Sequence, residues 1–274
     1  MKIQCVASGR GKLLLGDQEG YVNILDRDFA LDGFRGHTKS ITALVQINAR
    51  NLLVTAGMDE ELSMPVIKIW NMEREDKGGS RLVRAIRVQA AEKSAVTCMA
   101  CLDDLSQLAV GLADGSVLLF AGDLVRDSNA KSRLCVEKSG SPVTGLGFLQ
   151  QGKGVVLFVA TKTRVARVIT VGKDLSAQVL DDFGCEPGCS TMTDTGEFAM
   201  GRDEAVYFYT PEGRGACRPF EGQKVEGWKY CLLTENKDMN SSDDFLFSLF
   251  LFIHLFCFIF FIYSLLLPGF ALTC

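Results

Sequence analysis

The sequence predicts an all-β fold of repeated small sheets, on two observations. One is a pair of short apolar runs, hinged on a small residue and a polar turn, that recurs roughly every forty to fifty-five residues. The other is that no stretch before Asn236 carries a long apolar stripe at helical spacing. The first copy is residues 13–25, pivoting at Gly16. The second joins residues 52–59, with Gly57, to residues 66–70. Residues 107–120 pivot at Gly111, residues 157–169 at Ala160 and residues 197–209 at Gly201. Ahead of three copies stands a further β-rich run, at residues 40–47, 95–102 and 142–149. Each unit therefore offers three clear strands and a weaker fourth, punctuated by Gly, Asp and Asn. Three or four short strands per unit, at this period, are the blades of a β-propeller.

One unit carries the dipeptides of a WD40 repeat. Gly36-His37 precedes Trp70-Asn71, with Asn in place of the usual Asp. Such a pair is useful because an imidazole, a turn carboxylate and an indole N–H can form a buried hydrogen-bond chain across a blade. His37, Asp59 and Trp70 are the residues expected in it, with Ser40 or Thr42 as the hydroxyl. The other units lack the pair, so a degenerate WD40-like propeller is expected.

Composition separates a polar body from an oily end. The 274 residues carry 29 basic and 33 acidic side chains, a net charge of −4, which gives no overall attraction to nucleic acid. Every charged residue lies at or before Asp244. The N-terminus has no apolar run of signal-peptide length, so a cytosolic, reducing setting is expected for the body. Its eight cysteines are then buried apolar residues. Cys98 and Cys101 have CxxC spacing, but on a strand residues three apart face opposite ways and cannot share a metal. Cys185 and Cys189 bracket a turn and lack a second nearby pair.

The sequence lacks complete catalytic or nucleotide-binding motifs. Gly9-Arg-Gly-Lys12 lacks the upstream glycine and the following Ser/Thr of a phosphate loop, and Gly145-Leu-Gly147 lacks the third glycine of a dinucleotide site. His37 is the body's one histidine, and the fold already claims it. No enzyme, cofactor or metal is expected. Arg81, Arg84 and Arg87 form a basic run with two readings: a contact for phosphoinositide or an acidic partner, or one blade's solvent-facing edge.

Segments in order along the body resemble a known family. These are Ser8-Gly-Arg-Gly-Lys-Leu-Leu-Leu-Gly-Asp-Gln-Glu-Gly20, Val54-Thr-Ala-Gly-Met-Asp-Glu-Glu61 and Val66-Ile-Lys-Ile-Trp-Asn71, followed by Val110-Gly-Leu-Ala-Asp-Gly-Ser-Val117 and Gly122-Asp-Leu-Val-Arg-Asp127. Pro142-Val-Thr-Gly-Leu-Gly-Phe148, Asp203-Glu-Ala-Val-Tyr-Phe-Tyr209 and Arg214-Gly-Ala-Cys-Arg-Pro-Phe-Glu-Gly222 complete the series. Collinearly from about Lys2 to Asn236, the chain resembles the vacuolar protein sorting-associated protein 11 family, class C subunits of the HOPS and CORVET tethering complexes. The resemblance implies an N-terminal propeller on the cytoplasmic face of late endosomes or lysosomes. It implies a role in vesicle-mediated transport and in endosome and autophagosome fusion. The implied partners are the other class C subunits and Rab-binding subunits. It also implies an α-solenoid and a RING domain beyond the propeller, neither of which this sequence contains.

The expected organisation is a truncated propeller of about five to six blades at residues 1–236, a polar linker at 237–244, a hydrophobic segment at 245–267 and a short tail at 268–274. An arc of so few blades is expected to stay open and prone to aggregation. Residues 245–267 would form an uncharged helix of about 34 Å, enough to span a bilayer core. Two readings stand for this segment. As a tail anchor it would attach the propeller directly to a membrane. Alternatively, its Phe-, Leu-, Ser- and Ile-rich composition is that of translated pyrimidine-rich non-coding sequence, which would make the chain a non-functional truncated product.

Overall fold

The computed structural model describes residues 2–59, 64–76, 79–88, 94–126, 132–152, 154–171, 174–203 and 205–219. The expected linker, hydrophobic helix and tail of residues 237–274, and the end of the propeller at 236, lie outside the described residues. Among those described, no helix is long and apolar enough to cross a membrane.

The described chain is all-β and contains five four-stranded sheets. The first holds β1 (Ile3–Gly9), β2 (Lys12–Asp17), β3 (Tyr21–Leu25) and β4 (Leu31–Arg35). The second holds β5 (Ile41–Ile47), β6 (Leu52–Gly57), β7 (Val66–Asp76) and β8 (Gly79–Arg87). The third holds β9 (Val96–Cys101), β10 (Gln107–Leu112), β11 (Val117–Ala121) and β12 (Ser132–Val136). The fourth holds β13 (Val143–Gln151), β14 (Gly154–Thr161), β15 (Val165–Val171) and β16 (Asp174–Asp181). The fifth holds β17 (Ser190–Met192), β18 (Phe198–Arg202), β19 (Ala205–Thr210) and β20 (Gly213–Pro219). Each is an antiparallel meander whose strands pair in chain order.

Local chemistry sets the hairpins. The β1–β2 turn is two residues long, with Gly9 paired to Lys12, and Arg10 and Gly11 both adopt positive φ (51° and 73°). That combination is a type I′ turn, whose twist matches the flanking strands.

Packing of sheet on sheet makes the core. The first strands β1, β5, β9, β13 and β17 lie side by side in succession. Leu14, Val22, Phe34, Ile41, Leu53 and Trp70 fill the junction of the first and second sheets. Val54, Ile67 and Ile69 meet Leu108, Val110 and Phe120 at the next. Ala109, Leu119, Val143, Leu157 and Val168 fill the third junction, and Phe158, Phe198, Met200 and Tyr209 the fourth. Alternate residues of one strand thus serve two cores: Leu108 and Val110 face the second sheet, Ala109 the fourth. Each such side chain contributes roughly 1.5–3 kcal/mol by leaving water. This is the blade-on-blade arrangement of a β-propeller. It explains the continuous apolar runs of the middle strands, since a strand covered on both faces has no reason to alternate.

Backbone hydrogen bonds stitch the turn between the second and third strands of the first, third and fourth sheets to the linker entering the next. Gly36 and His37 N–H donate to the Gly20 carbonyl at 2.8 and 2.9 Å, Ser139 and Gly140 N–H to that of Asp114, and Cys185 N–H to that of Thr161.

Candidate functional site

His37, from the linker between the first two sheets, reaches into their junction, where it is 1% exposed. Its Nε2 lies 2.8 Å from the Thr55 hydroxyl on β6, and the Trp70 indole N–H on β7 donates to the same oxygen at 3.0 Å. The Thr55 hydroxyl thus serves both rings, accepting from Trp70 and sharing a hydrogen bond with His37 Nε2, while Nδ1 lies 3.6 Å from an Asp59 carboxylate oxygen. That distance is longer than a hydrogen bond. Asp59 is instead held by Lys68, whose ammonium lies 2.9 Å away and also donates to the Gly36 carbonyl at 2.9 Å, and by the Thr38 N–H at 2.9 Å. The Trp70 ring packs against Phe34 of the first sheet, with centroids 4.9 Å apart. The structure therefore brings the three residues expected from the sequence into one cluster, and adds Thr55 and Lys68. Thr42, a hydroxyl considered from sequence, donates to the Ala56 carbonyl instead.

Electrostatics fix the protonation state of this cluster. Burial, reinforced by the Lys68 charge, pulls the His37 pKa down to about 4, so the ring is neutral near pH 7. Burial acts to raise the Asp59 pKa, but the Lys68 ammonium and Thr38 N–H outweigh it and hold the carboxyl below its ordinary value. A neutral imidazole hydrogen-bonded to Thr55 and enclosed between sheets ties one blade to the next.

The three arginines of β8 divide between the two faces of their sheet. Arg84 pairs with Ile69 and Arg87 with Val66, three residues apart on β7, so their side chains point opposite ways. Arg84 reaches the third sheet, donating to the Leu124 carbonyl at 3.2 Å. Arg81 and Arg87 are exposed.

A second polar cluster joins the fourth and fifth sheets. The guanidinium groups of Arg202 and Arg214 each lie 5.2 Å from the Phe183 ring centre, and Arg214 lies 4.8 Å from that of Tyr207. Asp181 accepts from the Tyr209 hydroxyl at 3.2 Å and pairs with Arg214 at 3.5 Å. These contacts again bind blade to blade, with the Arg214 side chain partly in solvent.

Seven cysteines among the described residues stand outside any disulfide. Cys98 packs with the fourth sheet and Cys101 with the second, on opposite faces of β9. Burial pushes the thiols of Cys5, Cys98, Cys101 and Cys135 up to about 12 and that of Cys185 to about 11. Protonated thiols are poor nucleophiles and poor metal ligands. Among the described residues no three His, Cys, Asp or Glu side chains converge as a metal site would need.

A family model described as PEP5/VPS11 N-terminal matches residues 1–230. The chain belongs to this family. It is 39% identical over 234 residues to the vacuolar protein sorting-associated protein 11 homolog of Dictyostelium discoideum, across 82% of this chain and 24% of that one. The Homo sapiens homolog is 40% identical over 222 residues, across 80% and 24%. The chain thus spans about a quarter of the length of these relatives. Among solved structures, the β-propeller domain of Myceliophteria thermophila Cps50 (Swd1) superposes with a TM-score of 0.56 at 16% identity, covering 81% of this chain and 70% of that one. That likeness is one of fold.

Proposed function

We propose that the chain supplies the non-catalytic, protein-binding propeller of an endolysosomal membrane-tethering subunit of HOPS/CORVET type. The observation that carries this reading is the family match over residues 1–230, made to relatives named for vacuolar protein sorting. In support, the His37–Thr55–Trp70 hydrogen bonds and the Arg214–Phe183 contact both lie between neighbouring blades, a structural use of the polar groups there. The partners are the other class C subunits and Rab-binding subunits, and membrane association is peripheral, through the complex, at late endosomes and lysosomes. Residues 1–236 form the propeller in this reading, and 237–244 a linker. His37, Asp59 and Trp70 serve as a structural set, and the exposed Arg81 and Arg87 contribute to contact with phosphoinositide or an acidic partner. Affinity purification of the full chain from its own cells tests this. Recovery of class C subunits in stoichiometric amount is expected; their absence overturns the reading.

A second reading is favoured by the uncharged run at 245–267, with residues 268–274 beyond it: a tail anchor holding the propeller at the membrane directly. Alkaline carbonate extraction separates the two. An anchored chain stays in the pellet, and a peripheral one is released.

A further inference from the structure

The fourth strand of each sheet pairs with the third on one edge and, among the described residues, with no strand on the other. An open edge accepts an extended chain, and proteins blunt it with charge, proline, shortness or a break in register. β4 is five residues long and carries Asp32 and Arg35. β8 carries Arg81, Arg84 and Arg87, with a shift in register at Val83. β12 has five residues, Arg133 and a shift at Cys135. β20 holds Arg214, Arg218, two glycines and Pro219. The middle of β16 has none of these. Leu175-Ser-Ala-Gln-Val-Leu180 is uncharged, and Asp174 to Val179 pair with Val171 to Ala166 without a shift. Ser176 to Val179 are exposed, Val179 by 46%.

The β15–β16 hairpin fixes which residues use that edge. Val171 and Asp174 stand opposite with two residues between them, so they form a hydrogen-bonded pair. By alternation Ile169 with Ser176 and Arg167 with Gln178 are the next such pairs. Leu175, Ala177 and Val179 therefore turn their N–H and C=O groups outward. Their side chains share one face of the sheet, on which Leu175 packs into the junction with the third sheet. Ser176 and Gln178 lie on the other face, where Arg167 donates to the side-chain carbonyl of Gln178 at 2.7 Å.

We infer that β16 pairs antiparallel with β16 of a second copy of this chain, about a two-fold axis through Ala177. In antiparallel pairing, outward-facing residues stand opposite one another, and only this axis engages Leu175, Ala177 and Val179 on both copies. It sets Leu175 opposite Val179, Ala177 opposite Ala177 and, on the other face, Ser176 opposite Gln178. The strand is complementary to itself. Apolar side chains meet apolar ones, and the two alanine methyls meet at the axis. The Gln178 amide, its carbonyl already taken by Arg167, has N–H groups to donate to the Ser176 hydroxyl. Asp174 stands opposite Leu180, not another carboxylate. This self-match favours a second copy over a foreign strand, and one such pairing closes the assembly as a symmetric dimer. The pairing is independent of the tethering role proposed above.

The test places a cysteine on the axis. Across a hydrogen-bonded antiparallel pair the Cα atoms lie about 5.5 Å apart, within reach of a disulfide. Ala177→Cys is made in the full chain, purified in detergent to cover the uncharged run at 245–267, and oxidised with copper phenanthroline. Leu82→Cys and Leu134→Cys, at exposed positions on other fourth strands, and the parent chain serve as controls. A dimer linked through position 177, located by peptide mapping, is expected from Ala177→Cys and not from the controls. Adding Val179→Pro should lower its yield about tenfold or more, since proline removes an outward donor from each copy and leaves the bonds to β15 in place. Adding Val179→Lys, which sets an ammonium opposite Leu175, should do the same without proline's constraint on the backbone, and melting temperatures report whether each variant folds. No dimer at 177, equal cross-linking at the control positions, or a yield unchanged in either folded variant overturns the inference. Class C subunits recovered with a chain that does not cross-link at 177 would sink this inference and leave the tethering reading intact.

Discussion

The indole N–H of Trp70 and the hydroxyl of Thr55 meet at 3.0 Å on the face that the second sheet turns toward the first. That hydroxyl also satisfies His37, so one threonine serves two buried rings. Thr55→Val keeps the shape and removes the oxygen, leaving two buried polar nitrogens without their partner. We expect a loss of about 2–4 kcal/mol, against a smaller loss in Thr55→Ser, where the hydroxyl is retained. Denaturant unfolding of the two variants measures this. Equal stability of the valine variant and the parent would contradict it.

Protonation of His37 should weaken the fold in acid. Its pKa is lowered in the folded state from 6.5 to about 4, so the unfolded chain binds the proton first. Stability is therefore full above pH 6.5 and falls as pH drops from there toward 4, by at most about 3 kcal/mol. Because the Lys68 charge contributes to the shift, Lys68→Met should move the His37 pKa upward. Imidazole proton resonances followed by NMR through this range report it, and an unchanged or lower value in the variant would refute the assignment.

Gly20 and Gly140 share a left-handed backbone, with φ 89° and 72°, but differ in surroundings. A Cβ at Gly20 would run into the carbonyl of His37, whereas nothing lies within 4 Å of one at Gly140. Gly140→Ala should cost about 1 kcal/mol, for the backbone alone. Gly20→Ala adds the clash at the linker and should cost at least twice as much. Thermal unfolding of the pair distinguishes them, and equal losses would contradict the close approach of the linker.

The repeat was legible in the sequence because small residues recur at its pivots, and at two of them, Gly16 and Gly111, the size is a steric necessity. A Cβ at Gly16 would fall 2.7 Å from Cys5 Sγ and 2.9 Å from Ile41 Cγ2, and one at Gly111 would fall 2.7 Å from Val143 Cγ1. At those two a small residue is forced where the next blade's first strand approaches, whereas a Cβ at Gly201 would meet only the Cys189 carbonyl at 3.8 Å. The fourth strand of each unit was faint for the opposite reason. At the rim, strands such as Gly213–Pro219 are mostly exposed, and no core imposes alternation on them. His37, Asp59 and Trp70 were readable as residue types at known spacing. Thr55 was not, since a threonine within a strand is ordinary and only its registry with Lys68 places it under the rings. Lys68 did leave a signal: a lysine within Val66-Ile-Lys-Ile-Trp70 needs a carboxylate when buried. Arg84 turns inward because of its register against Ile69, which spacing alone does not give.

The account rests on neighbouring sheets packing face to face, and the rings of Phe158 and Phe198 offer the most direct measurement. They belong to the fourth and fifth sheets and stack 5.5 Å apart, 5° from parallel. A double-mutant cycle of Phe158→Leu and Phe198→Leu, read by denaturant unfolding, should give a coupling of about 0.5–1.5 kcal/mol. Strict additivity, within about 0.3 kcal/mol, would mean that the two sheets do not meet and would contradict the propeller.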